Sequence, residues 1–353
     1  MGLSPEERLA PIGGIAGALD ALAGGRDLSL DEAEAVMDLI FDGTLDPVVV
    51  AGVLVALRTK GESVDELTGM VRSMVGHATP VPLGHRAMDI VGTGGDGLRT
   101  INVSTMAALV VAGAGVKVCK HGNRAASSSV GTADVLEELG VAIEATPETV
   151  AACVEEAGMG FCFAQTFHPA MRFVGPVRRA LGIRTAFNFL GPLSNPSRPD
   201  RLLIGTADPS SAERMAEVLG ANGVTRAWVV HSDDGFDELS LSAPAAVVEV
   251  VGDGRGDYAL STWTLDPASA GFSAVPLEAV RGGDVAENAA VVRSVLAGEP
   301  GAARQIVLLN AAAALVVAEV ASSIEEGADL AAAAIDDGRA AGVLDRLVTT
   351  SRR

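Results

Sequence analysis

Three stretches of this chain bring together residue types that hold phosphate and divalent cations. The first is Gly92-Thr93-Gly94-Gly95-Asp96, which follows the apolar run Ala87-Met88-Asp89-Ile90-Val91. Glycine permits left-handed turns and lets a ligand approach the backbone closely. Thr100, Asn102, Val103, Ser104 and Thr105 then open an apolar helix, whose free amides and partial positive charge favour an anion. Asn102, Ser104 and Thr105 add side-chain donors, and Ser104 can give an oxygen to Mg²⁺ carried in with phosphates. Taken alone, the cluster also reads as a tight strand-to-helix turn with Ser/Thr caps. Its spacing is neither a dinucleotide fingerprint nor a Walker A loop.

The second stretch follows the run Val116-Lys117-Val118-Cys119 and comprises Lys120, His121, Gly122, Asn123, Arg124, Ala125, Ala126, Ser127 and Ser128. Polar residues at the carboxyl end of a strand occupy the edge where open α/β sheets bind ligands. Lys120 and Arg124 are cations in an acidic protein, and Ser127 and Ser128 are hydroxyl donors suited to phosphate oxygens. Thr132, at the start of the next helix, either serves the same anion or caps that helix. The third stretch, His231 to Glu238, follows Arg226-Ala227-Trp228-Val229-Val230. Its adjacent Asp237 and Glu238 read as oxygen ligands for Mg²⁺ on a diphosphate, whereas Asp233 and Asp234 read as exposed turn residues. Between these stretches lies Phe161 to Pro196, with four arginines able to clamp a carboxylate: Arg172, Arg178, Arg179 and Arg184. His168, before Pro169, reads as structural or pocket-lining. No serine or cysteine nucleophile–base arrangement is evident.

The elements that must position these residues are readable too. Residues 1–82 read as consecutive helices, with capping boxes at Ser29–Glu32 and Ser63–Glu66 and a cap-plus-proline start at Asp46-Pro47. From about Arg86, short apolar runs alternate with helical stretches, the rhythm of a parallel α/β sheet. The expected fold is therefore α/β: a small N-terminal helical domain, and a large α/β domain over 83–353 with a central, mostly parallel sheet flanked by helices. Pro80-Val81-Pro82 reads as the linker or hinge. Met171 and its neighbours, from Pro169 to Gly182, read as helical, and part of 170–196 is expected to join the small domain. Residues 245–265 read as β-rich, and helices are expected near 284–297, 302–319 and 324–339.

Composition narrows the function classes. The 353 residues are 48% hydrophobic, enough for a large core, but only 3% aromatic, and the formal charge is −19. Such a field repels nucleic acid and leaves any anionic substrate to local devices. Cys119, Cys153 and Cys162 lack metal or redox spacing and read as buried thiols. No targeting segment or apolar run of about 18 residues is apparent, so a cytoplasmic protein without membrane association is expected.

Taken in order, GTGGD, NVST, KHGNRAASS, GTADVLEELG, HPAMRFVGPVRRALGIRTAFNFLGPLSNP and DGFDE resemble the anthranilate phosphoribosyltransferase family across nearly the whole chain. The resemblance implies transfer of the phosphoribosyl group of phosphoribosyl pyrophosphate to the anthranilate amine, in tryptophan biosynthesis, within a hinge cleft of a homodimer. It implies that Gly92, Gly95, Asp96, Thr100, Asn102, Val103, Ser104, Thr105, the segment Lys120 to Ser128 and Thr132 hold phosphoribosyl pyrophosphate. It assigns anthranilate to Gly92, Asn123 and Arg178, singling out Arg178 from its neighbours, and Mg²⁺, two ions per chain, to Ser104, Asp237 and Glu238. Three positions depart from the family pattern: Ile101, Thr132 and Gln165. Two rival readings are a pyrimidine nucleoside phosphorylase and a non-catalytic nucleic-acid-binding relative. The paired Asp237 and Glu238 disfavour the first, and the charge of −19 disfavours the second.

Overall fold

The computed structural model describes residues 2–83, 87–125 and 130–353. The chain begins with helices Pro5–Leu9, Gly14–Ala23, Leu30–Phe41, Pro47–Lys60 and Val64–Gly76. Their starts are chemically determined. The Ser29 hydroxyl accepts the Glu32 amide while Glu32 accepts the Ser29 amide, and the Ser63–Glu66 pair repeats the device. Asp46 accepts the Val48 amide at 2.8 Å with Pro47 in the first turn. These caps satisfy amides that have no partner within the helix.

Among the described residues seven strands follow: β1 Met88–Gly92, β2 Val118–Gly122, β3 Met159–Phe163, β4 Arg201–Gly205, β5 Arg226–Ser232, β6 Ala245–Gly252 and β7 Tyr258–Leu265. They form one sheet in the order β3-β2-β1-β4-β5-β6-β7. The first five are mutually parallel, and β6 and β7 add an antiparallel hairpin at one edge. Strand order reverses between β1 and β4, so the crevice beyond their carboxyl ends is the topological switch point of the sheet.

Side chains alternate between two apolar layers. Leu203, Trp228, Val230 and Val247 face one cluster, in which helix Val103–Gly113 is buried against helices Ala302–Val317 and Arg339–Ser351. Leu202, Ile204, Ala227, Val229 and Val248 face the other, shared with helix Pro209–Ala221 and the N-terminal helices. Both faces are covered, as parallel sheets require. Helix Arg339–Ser351 extends the helical tail beyond the stretch read from sequence; Ala340, Val343, Leu344 and Leu347 bury one side of it after Gly338 breaks the chain at φ 72°.

In the 170–196 region, helix Met171–Leu181 and short helix Phe187–Leu190 put Val174, Val177, Phe187 and Leu190 into the apolar cluster of the N-terminal helices. Phe187 meets Phe41 edge-on, with ring centroids 6.1 Å apart. The linker is packed as well: the Thr79 amide donates to the Phe167 carbonyl, and Val81 is buried beside Cys119, Cys162 and Phe167. All three cysteines are free and buried.

Candidate active site

At the switch point, Gly92 and Gly205 lie side by side in register on β1 and β4. Both must be glycine because Asp237 leans across them. A Cβ on Gly205 would fall 1.7 Å from the Asp237 carbonyl oxygen, and one on Gly92 would fall 2.5 Å from its Oδ2. Asp237 Oδ2 accepts the Gly94 amide at 2.5 Å, and Glu238 Oε1 accepts the Ser104 amide at 3.1 Å. The acidic pair thus holds one amide of the glycine loop and one at the helix N-terminus. Those are two of the donors expected to serve phosphate.

Gly94, Gly95 and Gly97 all take positive φ, which lets the loop turn with its backbone open to solvent. Within the loop, Asp96 Oδ1 accepts the Leu98 amide at 3.0 Å. Beyond it, Thr100 bridges to Arg281, and Asn102 is fixed from both sides: it donates to the Val130 carbonyl and accepts from Asn288 Nδ2. Ile101 and Val103 are buried packing residues, so any donor that Val103 supplies is its backbone amide. Thr105, also buried, donates to the Thr132 hydroxyl at 3.3 Å. The N-cap of helix Thr132–Glu138 is Gly131, not Thr132, which removes the capping alternative for Thr132.

Lys120 is buried beneath this edge. Its ammonium donates to the Ile90 carbonyl and, at 3.2 Å, to the Ser104 hydroxyl. Burial lowers its pKa, with the carboxylates of Asp89, Glu238 and Asp237 opposing. Asp89 is equally buried, accepting from the Ile90 and His121 amides and from Asn195 Nδ2; burial raises its pKa despite Lys120. Burial also pushes Glu238 up to about 7, against the pull of Lys120. Asp237 is raised well above the usual carboxylate range by burial and by repulsion from Glu238 and Asp96. Two crowded, desolvated carboxyl groups, one with a sealed Oε2 that has no hydrogen-bond partner, fit a cation. Among the described residues no cluster of three or more His, Cys, Asp or Glu forms a metal cage. Mg²⁺ commonly takes only one or two carboxylates, with water and substrate phosphate completing its shell.

The loop after β2 is shaped by a residue that sequence reading left aside. Asp134 accepts the Ala125 and Gly131 amides at 3.0 and 2.9 Å and pairs with Arg124. Arg124 also pairs with Glu137, so its guanidinium faces acids here, not an open anion site as the sequence reading expected. Asn123 is exposed, and Gln165 Nε2 donates to its Oδ1 at 3.4 Å. Ala126, Ser127 and Ser128 lie outside the described residues. His121 is buried against His168, and burial depresses them to about 3 and 4 respectively, keeping both rings neutral. His168 is therefore an interior residue. Arg178 stacks over Phe187 with its guanidinium 5.2 Å from the ring centroid, is half-buried, and has a pKa lowered by burial. Among the described residues no carboxylate pairs with it, whereas Arg172, Arg179 and Arg184 are exposed.

The acidic loop has its own supports. Ser232 Oγ donates to the Glu238 carbonyl and accepts the Ser240 amide. Asn310 brackets Leu239, accepting its amide and donating to its carbonyl. Asp234 is exposed but accepts from Ser240 and Ser242, so it ties the turn together. Asn310 had a visible signal, as the one polar side chain within Ile306–Val317.

Fold and site together define a two-part glycosyl transferase. The profile of the glycosyl transferase family helical bundle domain matches residues 16–78, and that of its a/b domain matches residues 84–341. An anthranilate phosphoribosyltransferase from Thermomicrobium roseum is 52% identical over 339 residues, covering 96% of this chain and 97% of the relative, and the chain belongs to that family. The crystal structure of the Thermus thermophilus anthranilate phosphoribosyltransferase superposes with a TM-score of 0.89 at 45% identity, over 95% of this chain and 99% of that one. The Saccharomyces cerevisiae enzyme, solved in complex with PRPP and Mg, gives a TM-score of 0.86 at 26% identity, over 96% and 98% of the two chains.

Proposed function

We propose that this chain transfers the phosphoribosyl group of phosphoribosyl pyrophosphate to the amine of anthranilate, releasing pyrophosphate, and that the switch-point crevice is its active site. The observation that carries this reading is the contact of Asp237 and Glu238 with the Gly94 and Ser104 amides. An anion cannot share those amides with two carboxylates unless a cation takes the carboxylates over. Asp237, Glu238 and Ser104 would hold Mg²⁺, two ions per chain, which when bound would neutralise charge developing on the leaving pyrophosphate.

The protein's own groups supply the rest. Amides of the glycine loop and of helix Val103–Gly113 bind the phosphates, with Gly92, Gly95, Asp96, Thr100, Asn102 and Thr132 completing that wall. Lys120 contributes positive charge from below, and Asn123 to Ser128 close the opposite side. Arg178, half-buried and without a carboxylate partner among the described residues, pairs with the anthranilate carboxylate, while Asn123 and Gly92 orient the ring. The amine nitrogen then bonds to the ribose anomeric carbon as its bond to pyrophosphate oxygen breaks, and the nitrogen loses a proton. An aromatic amine is neutral at pH 7, so alignment and leaving-group electrostatics suffice without a protein nucleophile.

The proposed division is a helical unit over 1–82, joined by part of 170–196, hinged on an α/β unit over 83–353, with closure excluding water from the donor. We also propose a homodimer through the helical unit. Val48 is 79% exposed, and Val55, two turns along helix Pro47–Lys60, is 39% exposed, leaving an apolar face that a second copy would cover. No helix among the described residues is long and apolar enough to cross a membrane, in keeping with a cytoplasmic enzyme. The decisive experiment follows anthranilate fluorescence in the presence of phosphoribosyl pyrophosphate and Mg²⁺. Fluorescence should fall, and chelation should stop the fall. A folded protein that leaves the signal unchanged would overturn the assignment.

A further inference from the structure

A second cavity, of about 470 Å³, opens at the opposite end of the sheet. Leu202, near the start of β4, and Val224, just before β5, line it, so it sits at the amino ends of the strands whose carboxyl ends carry the site above. Val71 and Val75 of helix Val64–Gly76 form one wall, and Val218 and Leu219 of helix Pro209–Ala221 form another. Its volume lies within the range of small-molecule sites.

Three arginines against two acids line the cavity, a local positive excess in a chain of net charge −19. Arg72 is held there by donating to Asn222 Oδ1 and the Ala221 carbonyl, each at 3.2 Å, which ties one wall to the other. Arg198 and Arg255 line the same cavity, and among the described residues neither side chain bonds a carboxylate. Among the described residues Arg198 is also one of three non-glycine residues with positive φ, at 51°, a conformation that L side chains rarely adopt. Its amide donates to the Asn195 carbonyl. Two acids line the cavity as well: Glu34, on the Arg72 side, lies 3.7 Å from Arg8, and Asp200 accepts from the Thr225 hydroxyl at 3.2 Å. An apolar floor beneath unpaired guanidinium groups selects a ligand with a compact hydrophobic body and one negative charge.

We propose that this cavity is a second small-molecule site, for an aromatic or branched aliphatic carboxylate, distinct from the switch-point crevice. Its wall residue Asn195 is shared with the other site's foundation, since Asn195 Nδ2 donates both to Asp89 and to the Cys119 carbonyl at 2.8 Å.

The test is calorimetric titration of the full chain with 2-naphthoate, with phosphoribosyl pyrophosphate and Mg²⁺ present at saturation and no anthranilate. Saturable binding is expected, roughly tenfold weaker or worse in R198A/R255A, which removes the unpaired charges. The neutral 2-naphthamide should bind at least about tenfold less tightly than the acid for the same reason. V75W, which fills the cavity, should abolish binding, and thermal melts establish that each variant is folded. Binding in R178A should match the parent. Absence of saturable binding to the parent, loss of binding in R178A, or equal affinity in R198A/R255A would each overturn the proposal.

Discussion

The loop after β1 takes its shape from glycine torsions, whereas the loop after β5 takes its shape from side-chain clamps. Gly94, Gly95 and Gly97 hold positive φ, and an added Cβ at any of them would meet no heavy atom within 4 Å. Residues 232–242, by contrast, are gripped by Ser232, Ser240 and Asp234 from within and by Asn310 from helix Ala302–Val317. Phe236 is buried as its anchor. The contrast follows from what each loop must present. Backbone amides can follow a flexible ligand and need only room, but two carboxylates forced together repel each other and must be held in place.

The sharpest test of that division removes the held charges. D237A/E238A should leave a folded protein whose turnover falls on the order of a thousandfold, since charge stabilisation by a bound cation is worth several kcal/mol. It should also lose dependence on added Mg²⁺. Steady-state rates across a Mg²⁺ titration measure both. Retained turnover with unchanged Mg²⁺ dependence would make the acidic loop structural and erase the contrast.

Next in size is the seat beneath the acidic loop. G205A places a methyl group 1.7 Å from the Asp237 carbonyl oxygen, a backbone atom that cannot move without its clamps. The overpacking should cost about 1–3 kcal/mol, visible in denaturant melts, and should lower kcat by displacing Asp237. A variant as stable and active as the parent would show that the loop yields easily.

A smaller effect comes from pH. Glu238 is pushed up to about 7, so between the ordinary carboxylate value of 4.5 and that point the folded chain binds more protons than the unfolded one. Stability without metal should therefore fall as pH rises through this window, by at most about 1.4 kcal/mol per pH unit from this group. Mg²⁺ should offset the fall by binding the ionised form, and E238Q should make it shallower, leaving the part that Asp237 contributes. Melting curves from pH 4.5 to 7.5, with and without Mg²⁺, decide the matter; a stability that rises across the window in the parent and not in E238Q would reverse the assignment.

How much of this was legible in the sequence depended on whether the reason for a residue was local. Capping boxes and the glycine run are short-range patterns, and Ser29 and Ser63 form the caps and Gly94 the left-handed turn; Lys120, read as following a strand, lies inside β2 and is buried. Gly205 gave no such signal, because its requirement comes from Asp237 on another loop. Asp89 and Asn195 are 106 residues apart and meet only in the folded core. Asp134 lies within GTADVLEELG, yet its task of gathering the Ala125 and Gly131 amides depends on how the chain doubles back. Arg124 looked like a free cation because its partners Asp134 and Glu137 lie a helix turn or more downstream.

The smallest expected change probes the glycine loop itself, through G95A. Gly95 has φ 85° and nothing near its missing Cβ, so alanine introduces torsional strain without collision. Left-handed torsions cost an L residue roughly 1–2 kcal/mol, and an exposed loop escapes most of that by relaxing when empty. The ligand must then restore the turn, so the cost moves from stability to binding. KM for phosphoribosyl pyrophosphate should rise about tenfold, the equivalent of roughly 1.4 kcal/mol, while the melting temperature stays near that of the parent. G205A should do the reverse, losing stability first. If G95A instead melted early and bound the donor normally, the β1 loop would be a packed element like its neighbour, and shape at this edge would come from clamps throughout.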